Sequence, residues 1–286
     1  MGEATDRRPL RRHGAMKAVA LVAALVLVGL TYSAVVPNGA AGADGPQSQQ
    51  IEQGRRLFAV GCASCHGLHA EGGTNGDGRQ AGPSLIGVGA AAVDFQVSTG
   101  RMPAAQTGAQ VPQKPPAYTA EEIAALSAYV ASLGPGPAIP NPEDYSLEGM
   151  TEEERQAAIA RGGQIFLTNC TACHNFEGSG GAMPRGGYAP KIRGAEPRVI
   201  YEALLTGPQA MPNFSNGNLP PESKRDVIAY LNSIDEAPNY GGFGLGGLGP
   251  VPEGLATWLV GIGLCVGAAV WIAAHTTRSN KKKADA

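Results

Sequence analysis

One five-residue pattern occurs twice in this 286-residue chain, as Cys-Ala-Ser-Cys-His from Cys62 and, 108 residues later, as Cys-Thr-Ala-Cys-His from Cys170. Cys-x-x-Cys-His is the attachment motif of c-type haem: each thiol forms a thioether with a haem vinyl group, and the His supplies the proximal iron ligand. Two residues between the cysteines let one helical turn present both sulfurs along one porphyrin edge. The sequence therefore predicts two covalently bound haem c groups, held by Cys62, Cys65, His66, Cys170, Cys173 and His174.

Three other uses of the paired cysteines fit the sequence less well. A thioredoxin-like Cys-x-x-Cys requires a surrounding βαβ pattern, and none is visible. A structural zinc site would have to join ligands 108 residues apart or find further ligands locally. Disulfides suit an exported protein but leave the His after each pair unexplained. The fifth cysteine, Cys265, lies in an apolar run and is expected to face lipid or a neighbouring helix.

Two Met-Pro pairs are the candidates for the second axial ligands of the two irons. Met102 follows His66 by 36 residues, and Met211 follows His174 by 37 residues. His/Met ligation raises the haem potential and suits electron transfer, whereas an open position suits gas or substrate binding. Met183 also precedes a proline, but only nine residues after His174. The matched spacing favours Met102 and Met211, with Met183 as the alternative in the second half.

The two halves are diverged copies of one helical unit. Gly-Arg-Arg-Leu-Phe at 54–58 corresponds to Gly-Gly-Gln-Ile-Phe at 162–166, and the last tract of each half has apolar residues at helical spacing. Thr119 and Glu122 form a capping-box pattern at the start of the first such tract. Each half has about 80 residues, which is small for an unaided core, and a covalent haem at its centre compensates.

The ends of the chain are apolar and basic. An uncharged run from Ala18 to Val36 follows five basic residues, and a second run from Leu255 to Ala274 precedes four. Each run is long enough for a helix to cross about 30 Å of hydrocarbon. The segment 37–254 has a net charge of −8. The positive-inside rule therefore places both basic ends in the cytoplasm and this segment outside.

The N-terminal run has two interpretations. A basic start, an apolar stretch and the small residues from Ala40 to Ala43 are compatible with a cleaved signal peptide. The apolar stretch exceeds the roughly 7–15 residues of a signal peptide, which favours a retained membrane anchor. Both interpretations export the middle of the chain.

The composition excludes several functional classes. Charged residues make up 16% of the chain, which holds 41 Gly and 22 Pro, and these values argue against a charged helical rod or a nucleic-acid-binding protein. The sequence shows no constellation typical of a catalytic acid or base, and no iron–sulfur or quinone motif. We therefore expect an electron-carrying subunit rather than a complete enzyme.

These residues carry a family resemblance. Each half resembles a class I cytochrome c domain, and the whole chain resembles the dihaem cytochrome c subunit of the actinobacterial cytochrome bc complex. The match runs from the basic start through both motifs and the Gly-rich segment to the last apolar run and basic tail. The resemblance implies an all-α fold with two tandem class I cytochrome c domains, a C-terminal transmembrane helix and a second one at the N-terminus.

The resemblance also implies residue roles and partners. The backbone carbonyls of Pro83 and Pro190 would orient the proximal imidazoles. In this family the haem domains lie on the outer face of the plasma membrane, beside a cytochrome b subunit. The first haem accepts electrons from the Rieske iron–sulfur subunit, and the second passes them to an aa3-type cytochrome c oxidase, with menaquinol as the donor. The axial iron ligands would be His66, Met102, His174 and Met211.

The expected segments follow from the motifs and the composition. The linker begins at the Gly-Pro repeat of 134–137, and six Gly in nine residues from Gly241 to Gly249 predict a flexible stalk. The expected segments are an N-terminal anchor or signal at 1–43, cytochrome c domain 1 at 51–133, a linker at 134–154, cytochrome c domain 2 at 155–236, a Gly-rich stalk at 237–254, a transmembrane helix at 255–274 and a cytoplasmic tail at 275–286.

Two other functions remain open at this stage. The chain could be a dihaem c subunit of another membrane dehydrogenase, or of an oxidase resembling the cbb3 type. It could also be a sensing module in which one haem is open to a gas, although the matched Met-Pro pairs argue against this. The subunits that co-purify with the chain would distinguish the first alternative from a bc-complex subunit. Carbon monoxide binding to a reduced haem would reveal the second.

Overall fold

The computed structural model describes residues 10–35, 45–106, 108, 110–183, 186–238, 241 and 244–284, and it describes side chains in 16–31 and in the parts of these ranges between 45 and 275. The described chain is mostly helical, as the sequence predicts. The candidate signal-cleavage residues at 40–43 lie outside the described residues. The first helix, α1, is Leu10–Val35.

The first unit, residues 45–133, is built around two crossing helices. The rings of Phe58 on the first of them and Tyr129 on the second lie 5.2 Å apart at the centre of the core. Gly54 lies at the crossing point, because a Cβ there would overlap the carbonyl oxygen of Ala125. The unit's elements are α2 (Pro46–Gly61), α3 (Ala63–His66), β1 (Gly73–Thr74), β2 (Gln80–Gly82), α4 (Ala90–Ser98) and α5 (Ala120–Ser132).

The second unit, residues 142–236, repeats this arrangement. The rings of Phe166 and Tyr230 lie 5.3 Å apart, and Gly162 lies at the helix crossing, where a Cβ would overlap the carbonyl oxygen of Asp226. The elements are α6 (Pro142–Tyr145), α7 (Glu152–Asn169), α8 (Thr171–His174), β3 (Gly181–Ala182), β4 (Tyr188–Ala189), α9 (Pro197–Thr206) and α10 (Pro221–Glu236).

Side-chain caps fix where two of the long helices begin. At α5 the Thr119 hydroxyl accepts from the Glu122 N–H at 3.3 Å, and the Glu122 carboxylate accepts from the Thr119 N–H at 2.9 Å. This confirms the capping box that the sequence predicts. Thr151 and Glu154 form the same pair at α7, with distances of 3.2 and 2.8 Å.

In the part of the chain that the structure describes, two short hairpins depart from an all-α fold. β1 pairs antiparallel with β2, and β3 pairs antiparallel with β4. Both hairpins occur in Gly-rich segments directly after a Cys-x-x-Cys-His motif, where glycine lets extended backbone lie close to the motif. The hairpins are only two or three residues long per strand, so the helices still define the fold.

The two units contact each other directly, through α4 and α9. The predicted linker, 134–154, whose α6 forms part of the second unit, also contacts helices of both. The Ala91 N–H at the start of α4 donates to the Pro137 carbonyl at 3.1 Å, and α6 packs against α9 and α10. Pro137 thus contacts the first unit, and α6 contacts the helices of the second.

One described helix is long and apolar enough to cross a membrane. It belongs to α11 (Pro250–Ala284), in which the candidate span is Pro250–His275. The apolar part of α1 with described side chains, Met16–Thr31, is shorter. Both segments expose apolar side chains such as Leu25 and Trp258.

The Gly-rich segment before α11 packs on the second unit. The Glu177 N–H donates to the Gly247 carbonyl at 3.3 Å, and Gly247 and Gly249 are buried. A Cβ on Gly249 would come within 2.8 Å of the Phe176 side chain. This differs from the flexible stalk that the sequence predicts. Because glycine has no side chain, residues 244–249 can lie close to the loop after His174.

Candidate haem-binding sites

Each Cys-x-x-Cys-His motif forms a single helical turn directly after a long helix. Cys62 ends α2, and the His66 N–H donates to its carbonyl at 3.0 Å. Cys170 ends α7, and the His174 N–H donates to its carbonyl at 2.9 Å. The cysteines and the histidine of each motif are thus held on one rigid turn, the geometry that the spacing predicts for attachment along one porphyrin edge.

The first cysteine of each motif has the properties of a neutral thiol. All five cysteines lie in described parts of the chain, and each is free of disulfide bonding. Burial, assisted by the partner cysteine of the motif, raises the pKa of Cys62 to about 11 and that of Cys170 to about 11. Zinc binds thiolates. Among the described residues, no group of three or more His, Cys, Asp or Glu side chains converges as a metal site, so the zinc interpretation gains no support.

A proline carbonyl fixes the orientation of each motif histidine. The Nδ1 atom of His66 lies 2.8 Å from the Pro83 carbonyl oxygen, and the Nδ1 atom of His174 lies 3.0 Å from that of Pro190. A carbonyl oxygen only accepts, so Nδ1 must carry the proton and Nε2 keeps its lone pair for a metal. These contacts are the ones that the family resemblance implies.

The hairpins deliver these prolines to the histidines. Pro83 directly follows β2, and Pro190 directly follows β4. Gly82 has no room for a side chain, because a Cβ would lie 2.7 Å from the Cys65 carbonyl oxygen and 3.0 Å from Nδ1 of His66. The close approach of this strand places the next carbonyl within hydrogen-bonding distance of the imidazole.

Burial keeps both motif histidines away from solvent. His66 and His174 are each 8% exposed. Burial lowers the pKa of His174, and this effect outweighs the hydrogen bond to the Pro190 carbonyl, which raises it. The His174 imidazole is therefore held in the neutral form that binds iron.

The structure brings Met102 and Met211, but not Met183, to the cores that hold the cysteines. Met102 and Cys62 pack on the first core, and Met211 and Cys170 pack on the second. Met183 lies in the turn of the β3–β4 hairpin, where its N–H donates to the Gly187 carbonyl at 3.1 Å. The geometry thus favours Met211 over Met183 as the distal candidate of the second unit.

A lysine holds the backbone on both sides of Met102. Lys114 Nζ donates to the Gly100 carbonyl at 3.1 Å and to the Pro103 carbonyl. The sequence interpretation missed this contact, although Lys114 is the one lysine between Lys17 and Lys191. Isolation in the sequence was the available signal, because Lys114 is the one basic residue between Arg101 and Arg155 and so is unlike the charge run of a solvated face.

A buried lysine has a related position in the second unit. Lys224 on α10 donates to the Asn216 side chain at 2.8 Å and to the Leu219 carbonyl at 2.5 Å. Its Nζ also lies 5.6 Å from the centre of the Tyr201 ring. These contacts tie the loop that follows Met211 to the last helix of the unit.

The residues of each unit form a donor set that suits haem c. The set contains two thiols on one turn, an imidazole with a free Nε2 atom, and a thioether on the apolar core. Thiols supply the covalent links, while imidazole and thioether are the axial ligands of electron-transfer haems. The residues present therefore fit the group that the motifs predict.

Comparisons with known proteins cover both units and then the whole chain. Residues 51–134 match the profile described as Cytochrome c, and residues 157–231 match Cytochrome C oxidase, cbb3-type, subunit III. The chain is 44% identical over 270 residues to the cytochrome bc1 complex cytochrome c subunit of Mycobacterium tuberculosis, covering 94% of each protein. The chain belongs to the family of cytochrome bc1 complex cytochrome c subunits. It is also 43% identical over 278 residues to the Corynebacterium diphtheriae subunit, covering 94% of this chain and 97% of the relative.

Membership of the family fixes the broad role of the chain. It is a cytochrome c subunit of a bc1 complex, with a role in electron transport and in association with a membrane. One solved structure, a reducing HAO-like protein complex of Kuenenia stuttgartiensis, covers 64% of the chain at a TM-score of 0.37 and 18% identity. That likeness is too weak to add to the description of the fold.

Proposed function

We propose that this chain is the dihaem subunit of a menaquinol–cytochrome c reductase that carries electrons from a Rieske centre to an aa3-type terminal oxidase. One observation carries the proposal: the same arrangement of turn, histidine, proline carbonyl and core methionine occurs in both units. Two such sites in one bc1 complex subunit are what a relay with two carriers requires.

The proposal assigns one haem c to each of two tandem class I cytochrome c domains, at 51–133 and 155–236. The thioether links would be made by Cys62 and Cys65 in the first and by Cys170 and Cys173 in the second. A bound haem c supplies a one-electron couple between ferric and ferrous iron. The axial positions would be filled by His66 and Met102, and by His174 and Met211.

The chain's own residues would tune these sites. The carbonyls of Pro83 and Pro190 fix the imidazole tautomer, and hydrogen bonding to Nδ1 increases the basicity of a ligating histidine. Lys114 holds the loop that would present the first thioether. Low exposure of His66 and His174 keeps water from the ligand atoms. These features suit rapid electron exchange with little rearrangement.

The proposed orientation places both units on the outer face of the plasma membrane. The helix Pro250–His275 would cross the bilayer and leave the basic tail in the cytoplasm. The N-terminal apolar run would remain as a second anchor, because it is longer than a signal-peptide core. The predicted partners are a cytochrome b subunit, a Rieske iron–sulfur subunit and the aa3-type oxidase.

A second candidate function has one specific observation in its favour. The match of residues 157–231 to subunit III of cbb3-type cytochrome c oxidases supports, as this second candidate, a dihaem subunit of such an oxidase. The similarity to bc1 complex subunits covers 94% of this chain, whereas the cbb3-type match is confined to the second unit. The longer match makes the reductase the better-supported function.

Affinity purification of the full chain tests the proposed partners. We expect a C-terminal tag, after solubilisation in a mild detergent, to recover cytochrome b, a Rieske protein and haem a in one particle with covalent c haem. Recovery of the chain with cbb3-type or dehydrogenase subunits would instead overturn the reductase assignment. Recovery with cytochrome b and the Rieske protein, but without haem a, would remove the aa3-type oxidase from the proposal.

A further inference from the structure

Three charged side chains meet where the two units touch. Asp94 lies on α4 of the first unit, and Arg198 and Glu202 lie one turn apart on α9 of the second. Arg198 donates to the Asp94 carboxylate and lies 3.7 Å from Oε1 of Glu202. We call these three residues the interunit charge cluster.

The cluster contains two carboxyl groups but only one cation. Asp94 is 6% exposed and Glu202 is fully buried, so two ionised carboxylates would share the single guanidinium of Arg198. Neither carboxyl oxygen of Glu202 accepts a hydrogen bond, and its nearest hydrogen-bonding neighbour is the Asp94 carboxylate, to which only a protonated Glu202 can donate. The Arg198 guanidinium already donates to Asp94, so an ionised Glu202 would be buried without a hydrogen bond to offset the loss of water, and a group in that position keeps its proton instead. The geometry therefore favours an Asp94–Arg198 ion pair beside an uncharged Glu202.

The charges around Glu202 support the same assignment. Burial, followed by the Asp94 carboxylate, raises the pKa of Glu202 from its ordinary value of 4.5 to about 9, with Arg198 opposing and Glu196 adding to the increase. Charged groups on the other elements packed on α9 act on Tyr201 instead: Asp144 of α6, and Glu222 and Lys224 of α10. On the first unit, Arg101 lies over the Phe95 ring of α4.

We propose that the interunit charge cluster, with a proton on Glu202, positions the two units for electron exchange and loosens when that proton is lost. The positioning role rests on the proposed function, since it presumes a haem in each unit. The two helices of the interface are each bonded to the backbone of a methionine loop. The Met102 N–H donates to the Gln96 carbonyl at 2.9 Å, and the Phe214 N–H donates to the Leu204 carbonyl at 2.7 Å.

A second set of contacts crosses the interface without any titrating group. The Gln209 side chain bonds the backbone N–H and carbonyl of Val111, both at 3.3 Å. The Gln110 side chain bonds the backbone of Tyr188 in the same two-way manner. These amide contacts do not depend on pH, so they provide a matched control for the effect of the charge cluster.

The direction of the pH effect follows from the location of the proton. Below about pH 4.5 Glu202 is protonated whether the units are together or apart, so Glu202 adds no pH dependence there. Between about 4.5 and about 9 the separated state loses the proton while the packed state keeps it, so packing takes up a proton and weakens as pH rises. Above about pH 9 both states are ionised and the dependence ends.

Hydrogen–deuterium exchange on the full chain in detergent measures this directly. After correction for the intrinsic exchange rate, we expect the amides of α4 and α9 to lose protection with rising pH, by up to about tenfold per pH unit between about pH 6 and about pH 9. The Glu202→Gln variant, which copies the protonated side chain, should keep the neutral-pH protection and lose the pH dependence. An unchanged pH dependence in this variant would overturn the proposal.

The control variant and a second readout complete the test. Gln209→Ala should lower protection equally at every pH, with the wild-type slope retained; loss of the slope in this variant would contradict a role specific to the charge cluster. Inter-unit electron transfer should slow with rising pH in the wild type but not in Glu202→Gln, and equal pH profiles would contradict the positioning role. Haem absorbance on the same samples tests the proposed function separately, because the exchange comparison needs no haem.

Discussion

The Met211→Leu variant of the full chain is expected to lower the midpoint potential of the second haem by about 0.1 V or more. A thioether ligand raises haem potential, and axial ligands set a range of about 0.8 V. Leucine has a similar volume, so the apolar core on which Met211 packs should survive the change. A spectroscopic redox titration that resolves the two haems measures the effect.

Met183→Leu is the matched control for this prediction. Met183 lies in the hairpin turn and does not pack on the core that holds Cys170. Its replacement should therefore leave the midpoint potentials of both haems unchanged within experimental error. If Met183→Leu lowered the potential of the second haem and Met211→Leu left it unchanged, Met183 would replace Met211 as the proposed ligand. An unchanged potential in both variants would leave the second haem without a methionine ligand.

The Gly162→Ala variant is expected to destabilise the second unit by about 3 kcal/mol, the upper part of the range for overpacked cores. The new methyl group would overlap the Asp226 carbonyl oxygen where α7 crosses α10. A backbone atom cannot move away by rotamer change, so the helices must separate and disturb the contact between Phe166 and Tyr230. Thermal unfolding of the full chain, followed by circular dichroism and haem absorbance, measures the loss.

Gly217→Ala provides the control in the same unit. The nearest atom to a Cβ at that position is the Ser215 hydroxyl oxygen at 3.9 Å, so the added methyl group fits without steric overlap. Gly54→Ala should destabilise the first unit in the same way as Gly162→Ala does the second, because its Cβ would overlap the Ala125 carbonyl oxygen. Equal stability of Gly162→Ala and Gly217→Ala would refute the close helix crossing.

Local patterns in the sequence predicted the parts of the fold that depend on neighbouring residues. The Cys-x-x-Cys-His spacing indicated a helical turn, and the turns Ala63–His66 and Thr171–His174 are present. The Thr119 capping box was readable because its two partners are three residues apart. The carbonyl contacts of Pro83 and Pro190 came from family resemblance, since no local rule links a proline to a histidine 16 or 17 residues away.

Features that depend on distant or backbone contacts were not readable. Asp94 and Arg198 are 104 residues apart, and each looks like an ordinary surface charge until α4 meets α9. The Gly-rich segment was expected to be a flexible stalk, because composition shows the freedom of a glycine but not the surface that it can approach. The same property permits Gly247 and Gly249 to be buried on the second unit.

We propose that each unit of this bc1 complex subunit holds one covalently bound haem c, and the intact mass of the purified chain is the direct test. We expect the mass of the polypeptide plus two haems, with one haem lost when Cys62 and Cys65 are replaced by serine and the other when Cys170 and Cys173 are replaced. A wild-type chain that carries a single haem, or none, would contradict it.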